Sequence, residues 1–363
     1  MIQVTKPFLP PKEEVDQYLQ DIWDRNWLTN DGPLVNQLED GLKDHLGVQE
    51  LKLVNNGTVA LQLALKALDL NGEIITTPFS YIATTSIIVW ENCTPVFADI
   101  DPKSFNIDPA KLEAAITENT SAILATHVYG NPCDVEAIER IAKKHGLKVI
   151  YDAAHCFGTT YKGESILNWG DVSAISFHAT KVYHTVEGGA VVCKDKDLIE
   201  KVSYFRNFGH DGPAKFNNVG INAKNSEMHA AMGLVNLKYV DEVLRKRASD
   251  HQFYKKHLAS LNLEYPEIAN GAGFNHSYFP VLFESEQQCE SILQALADND
   301  IHARRYFYPV LSKLHYLPYT SMPEAEDISS RILCLPLYFE LKEDEIERIT
   351  EVVIKELSNP KAT

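Results

Sequence analysis

An α/β fold with a mostly parallel sheet, followed by a smaller α+β domain, is what the pattern of this chain predicts. Between about residues 50 and 195, apolar runs of strand length alternate with stretches of helical length, which implies parallel strands with helices on both faces. The runs are too uniformly apolar to have a solvated face, so the sheet should be buried on both sides. A shift to Gly, Asn and Pro across Leu261–Gly273 then marks a boundary. The expected organisation is an N-terminal segment 1–25, a large domain 26–260 and a small domain 261–363.

In chain order, the first element is a helix over Lys12–Trp23, too isolated to fold alone, which must pack on a domain or on a partner chain. Seven runs then read as strands: Leu51–Asn55, Glu73–Pro78, Pro95–Asp99, Ser121–His127, Lys148–Asp152, Val172–Phe177 and Gly188–Cys193. Helices are expected among them at Val59–Leu68, Pro109–Ile116 and Asp134–His145. A long helical region, Ser226 to Leu261, closes the large domain. Beyond the boundary come a strand (Tyr278–Glu284), a helix (Glu286–Asp298), further strand-like pieces and a closing helix (Glu343–Leu357).

Composition narrows the function. The 363 residues carry 34 basic and 50 acidic side chains, a net charge of −16, with no basic block, which excludes a nucleic-acid surface. The six cysteines show no C-x-x-C spacing and read as small buried hydrophobes, so neither a metal site nor a disulfide framework is expected. Met1–Pro7 lacks a charged-then-apolar leader and no apolar run reaches membrane-spanning length; a cytoplasmic protein with no membrane partner is expected.

In an open parallel sheet, ligands collect beyond the carboxyl ends of the strands. Lys181 follows one such end, in Ser176-Phe177-His178-Ala179-Thr180-Lys181, and lies 29 residues after Asp152, which ends another. A lysine that can bind an aldehyde covalently, with a carboxylate that keeps a pyridine nitrogen protonated, is what pyridoxal phosphate (PLP) requires. Other strand ends converge on the same chemistry. In Asn55-Asn56-Gly57-Thr58 a glycine, free N–H groups and the Thr58 hydroxyl suit a phosphate at a helix N-terminus, although Thr58 alone would also serve as an ordinary cap. In Pro78-Phe79-Ser80-Tyr81 the tyrosine could stack on a flat ring or fill the core. His127-Val128-Tyr129-Gly130-Asn131 is another polar strand end. In Asp152-Ala153-Ala154-His155 the alanines leave room beside a ring whose phenolic oxygen His155 can reach, and Ser176 adds a phosphate hydrogen bond. The glycines of Glu187-Gly188-Gly189-Ala190 are expected to serve backbone conformation.

These fragments together resemble the DegT/DnrJ/StrS family of PLP-dependent nucleotide-sugar aminotransferases, a branch of the fold type I enzymes. The resemblance runs through Trp27-Leu28-Thr29-Asn30-Asp31-Gly32-Pro33, Asn56–Leu61, Thr94–Asp101, the strand ends above, Arg206-Asn207-Phe208-Gly209, and Gly220-Ile221-Asn222…Ser226-Glu227…Ala230-Ala231-Met232-Gly233. It implies that Lys181 is the cofactor attachment site and the proton shuttle. Asp152 pairs with the pyridine nitrogen, His155 contacts the phenolic oxygen and Tyr81 stacks on the ring. Gly57, Thr58 and Ser176 bind the phosphate, and Asn222 reaches the phosphate of the neighbouring subunit, implying a homodimer with shared active sites. Lys224 stands where the family often has arginine, whose planar fork it cannot reproduce.

The resemblance further implies L-glutamate as amino donor and a dTDP-linked keto sugar as acceptor. The segments around Lys181 and Asn222 are most similar to members that aminate dTDP-4-keto-6-deoxyglucose at C4 for surface polysaccharide such as O-antigen. Amination at C3 of the 3-keto isomer is the rival. Asn30, His178, His184, Lys224 and Arg304 are candidate substrate contacts; a structural role is the alternative for the histidines, a surface position for Arg304 and for Arg206. From other classes, a non-catalytic sugar-binding paralogue would not need Asp152, His155, Ser176 and Lys181 together. A lyase of free amino acids would need an arginine clamp on the α-carboxylate.

Overall fold

The computed structural model describes residues 1–358. All seven expected strands form, within one or two residues of the expected bounds: β1 (Glu50–Val54), β2 (Glu73–Thr76), β3 (Thr94–Phe97), β4 (Thr120–Thr126), β5 (Lys148–Asp152), β6 (Val172–Ser176) and β7 (Gly189–Cys193). They lie in one sheet in the order β1-β7-β6-β5-β4-β2-β3. Only β7 runs antiparallel to its neighbours, β1 and β6. The other four pairings are parallel, so β1, β2, β5 and β6 all end at one edge of the sheet. This is the fold type I architecture expected from the sequence.

Both faces of the sheet are buried. Ile150 belongs to a core with Ala60, Leu61 and Ala64 of helix α3 (Gly57–Ala67), while its neighbours Val149 and Tyr151 point into a second core with Leu38 and Leu42 of helix α2 (Pro33–Leu46). That alternation is the period-two geometry of a strand. The tight return into β7 corrects the reading of its glycines. Neither Gly188 nor Gly189 has a positive φ. Instead, a Cβ on Gly188 would sit 2.0 Å from Thr185 Oγ1, and one on Gly189 would sit 2.7 Å from the Asn56 carbonyl carbon. The glycines are required for space, not for conformation.

Between the strands lie α4 (Ile82–Trp90), α5 (Pro109–Ala115), α6 (Val135–His145) and α7 (Lys196–Phe205). Helix α4 was hidden in the sequence because Ile82-Ala83-Thr84-Thr85-Ser86-Ile87-Ile88-Val89 is rich in β-branched residues, which favour strands. Burial of Thr84, Thr85, Ile87 and Ile88 overrides that preference. Helix α8 (Glu227–His257) runs 31 residues. Its early turns (Ala230, Ala231, Leu234, Val240) pack in the large unit, and Tyr254 packs in the core of the C-terminal unit. That unit contains β8 (Phe279–Leu282), α9 (Glu286–Asp298), α10 (Pro323–Arg331), β9 (Ile332–Leu335) and α11 (Glu343–Ser358), with β8 and β9 antiparallel. A further core, built from Phe79, Phe105, Tyr129, Phe307 and Ile332, joins the two units beneath the strand ends.

The N-terminal segment packs on both units. Ile2 pairs with Ile301 and the Leu337 N–H donates to the Val4 carbonyl, while helix α1 (Lys12–Arg25) reaches α8 through Glu14 and Lys238 (2.7 Å). No helix among the described residues is long and apolar enough to cross a membrane.

A buried ionic network fixes the loop between α1 and α2. Arg206, 3 % exposed, donates to Glu39 Oε1 (2.7 Å), the Leu53 carbonyl (2.6 Å) and Asp31 Oδ1 (2.9 Å). It is therefore neither a surface arginine nor a pocket residue. Glu227, fully buried, accepts from the N–H groups of Leu34 (3.0 Å) and Val35 (2.9 Å) and so caps α2 from the far end of the chain. Truncating Arg206 to Leu leaves the buried Glu39 with only Lys52 as a charged partner. Chemical denaturation should register a loss of about 3 kcal/mol; a loss below about 1 kcal/mol would refute this role.

Candidate active site

The carboxyl ends of β1, β2, β5 and β6 open into one cavity of about 540 Å³. Nine of the residues singled out in the sequence line it: Gly57, Thr58, Tyr81, Asp152, His155, Ser176, His178, Lys181 and Arg304. Each sits where an element ends. Asp152 is the last residue of β5 and Ser176 the last of β6. Gly57 and Thr58 open α3, and Tyr81 is the N-cap of α4. Lys181 lies in the loop between β6 and β7.

Helix α3 aims its N-terminus at the cavity. The Asn56 side chain caps the Val59 N–H (2.9 Å) and its carbonyl accepts from Ala60, which leaves the first two N–H groups of the helix free of intrahelical partners. Gly57 closes against the end of β6: a Cβ there would sit 2.8 Å from Ser176 Cβ. A backbone N–H cradle, two hydroxyls and the positive end of a helix dipole thus converge, the donor set that holds a phosphate.

Asp152 is 5 % exposed. Its Oδ2 accepts from Thr84 Oγ1 (2.7 Å) and its Oδ1 from the Ala154 N–H (3.1 Å). Burial raises its pKa, while the Thr84 and Ala154 hydrogen bonds and the Lys181 charge oppose the rise. Lys181 experiences the reverse: burial lowers its amine to about 8, against the pull of Asp152. His155 stacks on Phe307 (centroids 5.8 Å apart, 11° between planes) and meets the edge of Tyr278. Burial, then the Lys181 charge, holds its imidazole well below the usual value, so the ring is neutral at pH 7. Its Nδ1 is buried without a hydrogen-bond partner.

Tyr81 is 55 % exposed, a large ring at the mouth of the cavity rather than a core tyrosine. His178 Nδ1 bonds Thr180 Oγ1 (2.8 Å) and its Nε2 lies 3.6 Å from Glu187 Oε1. The Arg304 guanidinium rests 4.9 Å from the Tyr306 ring centroid.

Four candidates do not line the cavity. His184 is 2 % exposed, with Nε2 bonded to the Phe8 carbonyl (2.7 Å) and its own carbonyl held by Asn236 (2.8 Å); it ties the lysine loop to the N-terminal segment and α8. Lys224 Nζ donates to Asn207 Oδ1 (2.6 Å). Asn222 bridges Asn207 and is exposed, and Asn30 is exposed with φ of 63°. These last three belong to the segments that Arg206 and Glu227 hold together. Conversely, sequence reasoning missed Thr84, Tyr278, Tyr306 and Phe307, all placed around the cofactor-type residues. The last three come from the C-terminal unit, and no local pattern points from them to a site formed roughly 100 residues or more earlier.

The site fits PLP. It offers an amine of lowered pKa for the aldehyde, a buried carboxylate for the ring nitrogen, the N–H cradle of α3 for the phosphate, and a neutral imidazole with an unpartnered nitrogen for a ring oxygen. Fold and pocket together define a PLP-dependent aminotransferase. The chain belongs to the DegT/DnrJ/EryC1/StrS aminotransferase family, whose sequence profile matches residues 11–354. It is 45 % identical over 359 residues to the dTDP-4-amino-4,6-dideoxy-D-glucose transaminase of Shigella dysenteriae, covering 97 % of this chain and 98 % of that one. It is 39 % identical to the Escherichia coli protein of the same name, over 97 % and 98 % of the two chains. The crystal structure of DesI, determined in the presence of its TDP-sugar product, superposes with a TM-score of 0.92 at 34 % identity, covering 98 % of this chain and 92 % of that one.

Two measurements test the electrostatics and the cradle. Only a neutral amine attacks an aldehyde, so reconstitution of the apoenzyme with PLP should speed up with rising pH around a midpoint of about 8, where an ordinary lysine would still be protonated. Replacing Asp152 by Asn removes the charge that favours the ammonium form and should move that midpoint down. Gly57→Ala forces a methyl group against Ser176 and should weaken PLP binding roughly tenfold, within the range of an overpacking cost; unchanged affinity would remove Gly57 from the cradle.

Proposed function

We propose that this protein transfers the amino group of L-glutamate to C4 of dTDP-4-keto-6-deoxy-D-glucose, giving dTDP-4-amino-4,6-dideoxy-D-glucose for a surface polysaccharide such as O-antigen. The observation that carries this reading is the near full-length similarity to two transaminases named for that product, together with a cavity whose lining suits PLP and includes Lys181.

When bound, PLP supplies an aldehyde that exchanges for an amine and a ring that accepts the electrons of a breaking C–H bond. The protein supplies everything else. The N-terminus of α3, with Gly57, Thr58 and Ser176, anchors the phosphate. Tyr81 covers one ring face, and Asp152 balances the positive charge at the ring nitrogen. His155, neutral and held flat against Phe307, donates toward the ring oxygen without adding charge. Lys181 holds the cofactor between turnovers. Once displaced, its Nζ takes the proton from the α-carbon of glutamate and later delivers one to C4 of the sugar. An amine with a pKa of about 8 can act in both directions near neutral pH. Arg304 and His178, on the rim of the cavity, are the groups available to the glutamate carboxylates and the sugar.

The active unit in this reading is a homodimer in the cytoplasm. An exposed apolar band supports the dimer: Leu28 (56 %), Phe208 (49 %), Phe216 (63 %) and Val219 (87 %) lie on the segments that also carry Asn30, Asn222 and Lys224. Those three residues would then serve the partner's cavity rather than their own.

The test is to incubate the PLP-loaded protein with glutamate and the 4-keto sugar and to follow 2-oxoglutarate and the new amine by NMR. An equatorial amine at C4 is expected. Turnover only with the 3-keto isomer would move the amination to C3, and no turnover with any keto sugar would refute the proposal.

A further inference from the structure

Thr84 is fully buried at the start of α4 and donates to Asp152 Oδ2 at 2.7 Å. Its oxygen is also 2.7 Å from Ser80 Oγ, and Ser80 Oγ accepts from Thr126 Oγ1 at 3.0 Å. Ser80 and Thr126 are 2 % and 1 % exposed, so the links are largely shielded from solvent. Three hydroxyls from three elements, the end of β4, the loop after β2 and helix α4, therefore form one chain that terminates on the carboxylate.

The direction of this chain follows from proton counting. An ionised carboxylate has no proton to give, so Thr84 must donate to Asp152. Having spent its one proton, Thr84 can only accept from Ser80, and Ser80 can then only accept from Thr126. Every hydroxyl donates once in that state. A proton on Oδ2 aimed at Thr84 would displace the Thr84 proton from the carboxylate and, whichever links turn round, leave one hydroxyl proton with no acceptor in the chain. The network is complete when Asp152 is charged and short of one bond when Oδ2 carries a proton toward Thr84.

We propose that Thr84 is a positioning residue for Asp152, the head of a one-way hydroxyl chain from Thr126 through Ser80 that holds the carboxylate ionised and fixed in orientation at the cavity wall. The inference rests on Asp152 serving the cofactor's ring nitrogen, and it adds residues that the sequence reading did not assign. Other titratable groups around the carboxylate are Lys181, Cys156, Tyr81 and His155. Of these, Lys181 stabilises the charge, burial keeps the Cys156 thiol protonated and the His155 ring neutral, and Tyr81 acts electrostatically on Lys181. Neither Cys156 nor His155 can substitute for Thr84, because no hydrogen bond joins either side chain to Asp152.

The experiment compares wild type with Thr84→Val, Thr84→Ser, Thr126→Val and Asp152→Asn as full-length holoenzymes. It reads the dissociation constant for PLP, the pH midpoint of the bound cofactor's absorbance, and thermal melting as a folding control. Thr84→Val should weaken PLP binding roughly tenfold, the value of one hydrogen bond to a charged group, and move the midpoint in the same direction as Asp152→Asn. Thr84→Ser should restore both readouts to within about twofold of wild type, which a purely structural role would not predict. Thr126→Val, two links away, should shift both in the Thr84→Val direction by a smaller amount. Wild-type binding and titration in a folded Thr84→Val protein would overturn the proposal. If Thr84→Val does not fold, an unshifted Thr126→Val protein would overturn it instead. Should Asp152→Asn itself leave both readouts unchanged, the ring-nitrogen reading fails, and the inference with it.

Discussion

The opposition between burial and charge at Lys181 and Asp152 governs this molecule. Each group loses solvation at the strand ends and each is favoured in its charged form by the other. For the lysine, burial outweighs the pull of Asp152 and lowers the amine to about 8. For the aspartate, a hydroxyl and a backbone N–H are added on the charged side. Burial still prevails at both groups, raising the carboxyl and lowering the amine, but only the carboxylate is an acceptor that the fold surrounds with donors, whereas the amine faces an open cavity. A reactive amine beside a carboxyl group held by two donors is the condition for the chemistry proposed.

The sheet makes this arrangement possible by bringing separate chain segments to one edge. Parallel strands end together, and the helices that follow begin there, so their N-termini supply positive dipole ends and free N–H groups without any charged side chain. The free N–H groups at the cavity come from α3, and the hydroxyl that supports the Asp152 carboxylate comes from the first turn of α4. The single antiparallel strand, β7, lets the lysine loop return at once into the sheet, and its glycines allow that return within van der Waals reach of Asn56 and Thr185. The C-terminal unit closes the other side with Tyr278, Tyr306 and Phe307. Phe307 is also a member of the core that joins the two units, so the plane of His155 is set by the packing between them.

Away from the cavity, buried ion pairs organise the segments that carry Asn30, Asn222 and Lys224. Arg206 joins Glu39 to Asp31, and Glu227 caps a helix nearly 200 residues earlier in the chain. Both charges are costly to bury and inexpensive to keep once paired. Together they hold Trp27–Gly32 against the 206–227 region, which groups Asn30, Asn222 and Lys224 outside their own cavity. Three residues that the sequence offered as pocket contacts thus lie on the segments that expose Leu28, Phe208, Phe216 and Val219.

Much of this was legible in the residues. Apolar runs gave all seven strands, because a strand buried on both faces has no polar positions to obscure it. Lys181, Asp152, His155, Gly57, Thr58 and Ser176 were recognisable because each closes or follows such a run, and strand ends on one edge of a parallel sheet are forced into proximity. Other features depend on contacts between distant segments and have no local trace. The helix α4 sequence favours a strand on its own, and only its burial against the sheet turns Thr84 toward Asp152. His184 has the composition of a pocket residue but is captured by Phe8 and Asn236 from two other elements. Periodicity and strand termini are properties of neighbours in sequence, so they are written in it; the direction a side chain faces once the chain has folded back on itself is a property of the packing, and it is there that this site acquires its electrostatics.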